Sequence, residues 1–362
     1  MSALGWLLLP CSWLYGLAVW LRNRFYDIGV FRVKGLNVPV ISVGNLTAGG
    51  TGKTPFVEYL VRYCQSERKK VAVLSRGYRR STSGTIVVSD GKSMASTPDR
   101  AGDEPFQIAR RFPAAIVISD ERRTRSAAIA LNQFHADVLV LDDGFQHRSI
   151  KRDLDIVLIN GEQPIARTPM LPAGNRREPL SSLGRADLVA TTSDSAGPGD
   201  TQVHGGANSR GLNTGAGPGP SKGVKLRFRP ASLCRVFGEE VLDPGAARGR
   251  RVVAFCGIAN PHSFRRTLGE MGTDLSAELS FPDHHWFAPR DLVRIRKLFE
   301  GSGASMILTT EKDAVRLSAL SVEQSFRSLP IYFVRIETEV VEGEPELHRL
   351  INSVIRRDYE AG

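Results

Sequence analysis

The sequence predicts an α/β protein built on a mostly parallel sheet with helices on both faces, followed by a second, smaller α/β lobe. Short apolar runs alternate with helical segments along most of the chain, a pattern that favours parallel strands. At 362 residues the chain is long enough for two hydrophobic cores. A stretch rich in Gly, Pro and Ser lies between the two sets of strands and has no apolar periodicity. We therefore predict a nucleotide-binding lobe over 31–194, a flexible insertion over 195–223 and the smaller lobe over 224–362.

The first 30 residues predict an apolar N-terminal helix that associates with a membrane. Met1–Leu21 contains no charged residue, and Arg22 and Arg24 follow it directly. The segment lacks the leading basic residues and small-residue cleavage site of a signal peptide. Its length is close to that of a bilayer-spanning helix, but Pro10 and Gly16 interrupt it. We favour a helix dipped into the membrane surface with its arginines at the head groups. A spanning helix and a helix buried in the protein core stay open as alternatives.

A glycine-rich loop with the sequence GGTGKT follows the predicted strand Val40–Val43 and precedes an amphipathic helix. Glycines let backbone N–H groups approach phosphate oxygens, and the helix adds its positive N-terminal end. Lys53 would reach the β- and γ-phosphates, while the Thr54 hydroxyl would bind Mg²⁺. The strict P-loop pattern requires glycine where this chain has Thr47. Even so, the context predicts a P-loop-type site made of Thr47, Ala48, Gly49, Gly50, Thr51, Gly52, Lys53 and Thr54.

Further strands of the first lobe are predicted from their apolar runs, and polar residues follow several of them. Val138–Leu141 runs into Asp142 and Asp143, and a carboxylate at a strand tip beside a P-loop typically binds Mg²⁺ or its water. Asp103 and Glu104 start a predicted helix, where capping by itself explains carboxylates. The remaining strands predicted in this lobe are 70–75, 85–89, 115–119, 155–160 and 187–192, with a helix over 121–134.

The second lobe is predicted to contain strands over 224–229, 251–256, 306–310 and 331–336, with helices between them. Its FPDHHWF segment is predicted to be a loop containing His284 and His285. Adjacent side chains in an extended segment point in opposite directions and no third ligand is near, so zinc is not predicted. One of the two histidines is a credible acid or base, because imidazole titrates near neutrality and Asp283 could orient it.

The composition limits the partner and the redox setting. The formal charge of +10 indicates an anionic partner, which could be a nucleotide, nucleic acid, phospholipid surface or acidic substrate. The four cysteines are scattered without a C-x-x-C pair, which argues against a zinc site and a disulfide framework.

Nine segments in this order resemble the tetraacyldisaccharide 4′-kinases of lipid A biosynthesis. The resemblance extends from the apolar N-terminus to at least Val315, and it includes the missing first glycine of the loop. Residues 195–223 depart from it, because that insertion is longer and more glycine-rich than the family leads us to expect. The segments are GNLTAGGTGKTP, LSRGYRR, GDEP, LDDGFQHR, RDLDIVLIN, LPAGNRREP, GIANPHSF, FPDHHWF and TTEKDAV.

The resemblance implies a reaction, a site and a location. It implies transfer of the ATP γ-phosphate, with Mg²⁺, to the 4′-hydroxyl of tetraacyldisaccharide 1-phosphate at the cytoplasmic face of the inner membrane. Asp103 matches the residue that takes the hydroxyl proton, and His284 is its partner. The implied partners are the lipid A precursor and the membrane surface, with no nucleic acid and no obligate protein partner. By the same match Lys53 is catalytic, Asp142 and Asp143 lie by the metal with Thr54, and Glu104, Arg177 and Glu178 lie on the substrate side.

Two other functions remain as alternatives. A membrane-recruited P-loop ATPase or GTPase switch would hydrolyse nucleotide without phosphorylating a lipid. A nucleic-acid binder would use the arginine clusters, but no nucleic-acid recognition motif is present, so we rank it last.

Overall fold

The structure is a computed structural model that describes residues 6–162, 165–192, 223–320 and 322–357. The chain divides into two compact units. The first unit comprises Met1–Arg76, Asp120–Phe228 and Thr338–Gly362, and the second comprises Gly77–Ser119 and Arg229–Glu337. This division differs from the boundaries expected from sequence, because 77–119 groups with the second unit and 338–362 with the first. Most of the predicted insertion, 195–222, lies outside the described residues.

Thirteen strands are found in the described part of the chain, and all but a few are short and strongly apolar. In chain order they are β1 (Val40–Asn45), β2 (Val71–Ser75), β3 (Ile86–Asp90), β4 (Ile116–Ser119), β5 (Val138–Asp142), β6 (Leu154–Asn160), β7 (Leu188–Thr192), β8 (Val224–Arg235), β9 (Val241–Leu242), β10 (Arg251–Cys256), β11 (Asp274–Ser280), β12 (Met306–Thr310) and β13 (Ile331–Glu342).

The α-helices are mostly 8 to 14 residues long, and short 3₁₀ segments occur at Ile165–Arg167, Leu180–Arg185 and Pro244–Ala247. In the described residues the α-helices are α1 (Leu9–Asp27), α2 (Lys53–Ser66), α3 (Pro98–Ala101), α4 (Asp103–Arg111), α5 (Arg123–Asn132), α6 (Pro261–Glu270), α7 (Pro289–Ser302), α8 (Glu311–Ser318), α9 (Gln324–Arg327) and α10 (Glu344–Ile355).

The first unit contains a parallel arrangement in the order β8-β7-β6-β1-β5-β2. Strand β1 is central, pairing Val40 with Leu139 on one side and Ile41 with Leu154 on the other. Every residue of β1, β2 and β5 is buried. Because successive side chains point to opposite faces, both faces of the sheet must be covered. Helix α2 packs on β1 and β5, and α5 packs on β2.

The second unit contains the parallel strands β11-β10-β12-β13, together with the antiparallel pair β3 and β4. Two apolar clusters pack around β10, one including Phe264 and Met306 and the other Phe255 and Phe326. Helix α4 packs against α8, which brings the N-terminus of α4 close to polar residues of α8. That packing positions one part of the site described below.

The predicted fold class is confirmed: the protein is α/β with mostly parallel strands. Every strand predicted in the described residues is present, generally within one or two residues of its predicted start. Sequence reasoning missed the two-residue strand β9, and it missed β11, whose segment DLSAELS has few apolar residues. Strand β11 is an edge strand paired with β10, so it needs little burial.

Candidate active site

The glycine-rich loop connects β1 to α2, as predicted. Gly52 precedes the first helical residue, Lys53, and no side chain caps this end of the helix. The first turn also contains no acidic residue. The unpaired N–H groups and the positive end of the helix dipole are therefore available to an anion.

Gly52 is required by its backbone and by its neighbour. Its φ angle is +76°, in the left-handed region that glycine tolerates. A Cβ atom at this position would also collide with the ring of Phe228. Only glycine therefore fits at the position immediately before Lys53.

The loop is braced by the segment that follows Leu171. The Ala48 N–H donates to the Asn175 carbonyl at 2.6 Å, and the Arg177 N–H donates to the Leu46 carbonyl at 2.6 Å. Within the loop, Asn45 Nδ2 donates to Thr51 Oγ1 at 2.9 Å. The first two bonds fix the start of the loop against a part of the chain that is distant in sequence, and the third holds the loop to the end of β1.

Lys53, Asp143 and Arg177 form one charged cluster at the loop. Lys53 Nζ lies 3.5 Å from Asp143 Oδ1, and Arg177 donates to both oxygens of Asp143 at 2.8 Å. Asp143 has a φ of 53°, a conformation uncommon outside glycine. Desolvation raises the pKa of Asp143, but Lys53 and Arg177 outweigh it and hold the pKa well below its usual range. Asp143 is therefore an ionised carboxylate beside the predicted phosphate site.

Asp142 lies at the end of β5, is 2% exposed and accepts a hydrogen bond from Ser75 Oγ at 3.0 Å. Arg123 donates to its backbone carbonyl at 3.1 Å. Burial lowers the pKa of Arg123 to about 10, although Asp142 and Asp143 oppose that shift. Among the described residues, no three His, Cys, Asp or Glu side chains are grouped as metal ligands. Mg²⁺ needs no such group, because it commonly takes one or two carboxylates and completes its shell with phosphates and water.

Asp103 and His284, which are 181 residues apart in the chain, are brought together within the second unit. His284 Nδ1 and Asp103 Oδ2 are 2.9 Å apart, and Arg316 Nη1 donates to the same oxygen at 3.1 Å. Asp103 Oδ1 accepts the Glu104 N–H at 3.0 Å. His284 has a φ of 59° and contacts Tyr78 edge to face, with ring centroids 5.4 Å apart.

The charge of Asp103 is set by these neighbours. Burial raises its pKa, but the His284 hydrogen bond and the positive charges of Lys312 and Arg316 prevail and lower the pKa to about 2. The predicted opposite orientation of the two histidines is confirmed, since His285 Nε2 lies 2.9 Å from Asp291 Oδ2. Asp103 is therefore ionised at neutral pH, and its partner is His284 alone of the two histidines.

Comparison with known proteins supplies the family. The tetraacyldisaccharide-1-P 4′-kinase family matches residues 4–356. The chain belongs to this family. The tetraacyldisaccharide 4′-kinase of Syntrophotalea carbinolica is 39% identical, with 94% of this chain and 92% of that protein covered. That of Pelobacter propionicus is also 39% identical, covering 96% and 91%.

A solved family structure gives the same answer for the fold. The crystal structure of LpxK from Aquifex aeolicus in complex with ATP is 33% identical to this chain. It matches with a TM-score of 0.76, covering 97% of this chain and 99% of that one. The predicted resemblance to the 4′-kinase family is thus confirmed over nearly the whole chain, and the alternative of a nucleotide-hydrolysing switch is not favoured.

Glu178, predicted from the family resemblance to lie on the substrate side, is fully buried. Its carboxylate accepts from Asn23 Nδ2 at 3.0 Å, Arg185 Nη2 at 2.9 Å and Arg22 Nη2 at 3.3 Å. These contacts hold α1 against the first unit. Glu104, also placed on the substrate side, pairs with Lys312 at 2.5 Å. The substrate roles of both residues, and of Arg177, stay predictions.

Helix α1 packs on the first unit through polar contacts and leaves its apolar face exposed. Ser12 Oγ accepts the Ala173 N–H at 3.0 Å, and the Tyr15 hydroxyl donates to the Arg177 carbonyl at 3.1 Å. The helix is therefore not a core helix, which removes one of the interpretations left open above. No helix in the described part of the chain has both the length and the apolar character needed to cross a bilayer. The exposed large apolar residues of α1 are Trp13, Leu14, Leu17, Trp20, Leu21 and Phe25.

Sequence reasoning missed several residues that the structure brings to these family sites. Asn45 and Phe228 contact the glycine loop, and Arg316 contacts Asp103. A weak signal existed for Arg316, because Asp313 lies three residues before it and an acidic residue pairs well with arginine at that spacing if the segment is helical. Phe228 gave no signal, since an aromatic residue in a strand is ordinarily a core or cross-strand residue.

Proposed function

We propose that this protein transfers the γ-phosphoryl group of ATP to the 4′-hydroxyl of tetraacyldisaccharide 1-phosphate, a step of lipid A synthesis. The observation that carries the proposal is the uncapped helix α2 behind the glycine loop, with Lys53 at its first position, in a chain that matches the 4′-kinase family from end to end. The relatives that match over more than nine-tenths of the chain bear the name of this activity.

The nucleotide half of the reaction belongs to residues 47–54. The backbone N–H groups of the loop and the N-terminal end of α2 would bind the β- and γ-phosphates. Lys53 would exchange part of its contact with Asp143 for the γ-phosphoryl oxygens and stabilise the charge that develops there. Arg177 keeps Asp143 ionised and neutralised when Lys53 turns to the nucleotide.

Magnesium fits the donors near this loop. Thr54 and Asp142 are both buried and offer the hard oxygen ligands that Mg²⁺ takes, and Asp143 adds a second carboxylate. When bound, Mg²⁺ supplies neutralisation of the phosphate charge during transfer. Thr54, Asp142 and Asp143 would hold the ion, directly or through water.

The acceptor half of the reaction belongs to Asp103 and His284. As the bond from the 4′-oxygen to the γ-phosphorus forms, the bond from phosphorus to the bridging oxygen breaks and ADP leaves. The hydroxyl proton passes to the pair, with Asp103 as the base and His284 holding and sharing the charge.

The acyl chains of the substrate require that the enzyme reach a lipid surface. We infer that the exposed apolar face of α1 enters the cytoplasmic leaflet of the inner membrane, with the exposed Arg24 near the head groups and Arg22 held by Glu178. The basic net charge of +10 adds attraction to anionic lipids. Because α1 is tied to Arg177 and Glu178, this docking would also fix the segment that braces the glycine loop.

The decisive experiment measures whether the γ-phosphate of labelled ATP is transferred to the lipid. Purified protein is incubated with γ-labelled ATP, Mg²⁺ and the tetraacylated disaccharide 1-phosphate, and the lipid is separated from nucleotide. We expect label in the lipid at the 4′ position. Release of labelled inorganic phosphate, with none in the lipid, would instead support a nucleotide-hydrolysing switch.

The membrane inference is tested by cosedimentation with vesicles of mixed neutral and anionic phospholipid. Replacing Leu17 and Trp20 with Glu should lower the bound fraction at least about tenfold, because each buried apolar side chain contributes roughly 1.5–3 kcal/mol. Val293→Glu, at a residue that is also 50% exposed but lies on α7, is the matched control and should bind as the parent does. Equal binding by the α1 variant and the parent would refute the inference.

A further inference from the structure

Arg316 is the feature of the second unit that the reaction described so far does not use. Its side chain is 1% exposed and makes three polar contacts through its two terminal nitrogens. Nη1 donates to Asp103 Oδ2 at 3.1 Å, while Nη2 donates to the Gly257 carbonyl at 2.8 Å and to Asp313 Oδ1 at 2.6 Å. A buried arginine costs several kcal/mol to desolvate, and pairing with two carboxylates and a carbonyl offsets part of that cost.

Two of these contacts lead directly to the proposed proton acceptor. Arg316 shares Asp103 Oδ2 with the imidazole of His284. The carbonyl of Gly257 also accepts the backbone N–H of His284, at 3.1 Å. One guanidinium thus contacts both the carboxylate of the pair and the peptide group that holds the histidine.

The other side of the guanidinium is anchored independently of the pair. Asp313 accepts the Gly257 N–H at 3.0 and 3.1 Å and the Thr310 hydroxyl at 2.5 Å. Asp313 is fully buried, and Thr310 caps the helix α8 that carries both Asp313 and Arg316. The fork of Arg316 is therefore fixed on α8 before it reaches Asp103 on α4, which is the geometry that a flexible lysine could not supply.

We propose that Arg316 is a positioning residue for phosphoryl transfer, holding the Asp103 carboxylate and the His284 backbone in the one arrangement in which the pair can accept the hydroxyl proton. The inference rests on the proposed function of that pair. It assigns to α8 a part in catalysis without any contact between Arg316 and substrate.

The charges around the pair determine what loss of Arg316 would do. Two carboxylates, Asp103 and Asp313, share this one buried cation. Without it, Asp103 would hold a proton more readily, and activity would begin to fall at a higher pH as the solution is acidified. The other charged groups that face the pair are Asp283, 3.9 Å from His284 Nε2, and the ion pair of Glu104 with Lys312.

The test compares Arg316→Gln and Arg316→Lys with Arg111→Gln. Arg111 is a matched control because it is also buried, lies on the same helix as Asp103 and contacts Ile336, Glu337 and Glu311 instead. For each variant, kcat, the KM for ATP, the pH dependence of kcat and the thermal midpoint are measured with the disaccharide 1-phosphate as acceptor.

We expect Arg316→Gln to lower kcat about 100-fold, the loss typical of a reacting group displaced by about 1 Å, with the KM for ATP within twofold. The acidic limb of its pH profile of kcat should move to higher pH. Arg316→Lys should restore part of kcat and should show a smaller shift of that limb. Arg111→Gln should lower the thermal midpoint with an unchanged pH profile. If Arg316→Gln does not fold, the kcat and pH profile of Arg316→Lys decide the question.

Two failures are distinguishable. If Asp103→Asn leaves kcat intact, the proposed role of the pair is wrong. If Asp103→Asn abolishes activity but the Arg316 variants keep the parental pH profile and lose no more kcat than Arg111→Gln, the pair stands and the positioning role of Arg316 is overturned.

Discussion

The glycine loop of the first unit uses consecutive residues and largely backbone atoms, whereas the Asp103–His284 pair of the second unit depends on side chains from three separated segments and a peptide group from a fourth. The loop residues 47–54 lie between one strand and one helix. The pair depends on α4, the loop after β10, the FPDHHWF loop and α8. The two sites also differ in charge, since Asp143 is held by Lys53 and Arg177 while Asp103 shares one buried arginine with Asp313.

This contrast teaches where each site is vulnerable. A backbone site is damaged by changes in conformation or space, and most side chains on it are interchangeable. A side-chain network is damaged by the loss of one partner, because the remaining charges are left buried and unpaired.

Lys53→Ala should lower kcat by about 10³-fold, because it removes the one side-chain charge of the loop from the transferring phosphoryl group. Steady-state phosphorylation of the disaccharide 1-phosphate is the measurement. Lys225→Ala, which removes an exposed lysine paired with Glu342 in the same unit, is the control and should leave kcat unchanged. Activity of Lys53→Ala within tenfold of the parent would contradict the role of the loop.

Asp103→Asn and His284→Gln should each lower kcat by about 10²- to 10⁴-fold while ATP binding is retained, since both act on the acceptor alone. His285→Gln is the matched control, because His285 faces Asp291 and not the pair. The ranking sharpens the assignment: a larger loss in Asp103→Asn is expected if the carboxylate is the base. A larger loss in His284→Gln would move that role to the imidazole.

Gly52→Ala should weaken ATP binding and lower the thermal midpoint, because the new Cβ meets Phe228 and the backbone has a φ of +76°. The double variant Gly52→Ala/Phe228→Ala should recover only part of the ATP affinity and of the thermal midpoint, since the backbone strain of roughly 1–2 kcal/mol remains. Gly184→Ala, where the added atom meets nothing, is the control. Complete recovery in the double variant would show that the contact with Phe228, and not the conformation, requires glycine.

The smallest effect concerns stability in acid. The pKa of Asp103 is lowered from its ordinary value of 3.8 to about 2 in the folded protein. The ionised Asp103 carboxylate therefore stabilises the folded protein by about 2 kcal/mol at pH values above its pKa in the unfolded chain. This stabilisation is lost as the pH falls through the pKa that Asp103 has in the folded protein. Urea unfolding between pH 5 and pH 2 should show a weaker pH dependence in Asp103→Asn than in the parent. An identical dependence would mean that other carboxylates account for the acid sensitivity.

Sequence patterns anticipated the elements and the loop more fully than the networks. Short apolar runs between helical segments are sufficient to predict the strands, because a strand that is buried on both faces of a parallel sheet is apolar along nearly its whole length. The pairing of Asp103 with His284 was reached only through the family resemblance, since Asp103 in isolation is explained by helix capping. Glu178 shows the limit of local patterns: no periodicity around it predicts that its fully buried carboxylate accepts a hydrogen bond from Asn23 and holds α1 in place.

By itself, the sequence determined the α/β class, the order of nearly all the strands and the phosphate loop, because these depend on neighbours in the chain and on backbone conformation. Tertiary structure decided that Arg316 bridges Asp103, Gly257 and Asp313, and that Phe228 covers Gly52. It also decided which face of α1 remains exposed. The physical reason is that the surroundings of a buried charge or ring include partners far away in the chain, such as Asp103 for Arg316, and no local periodicity predicts them.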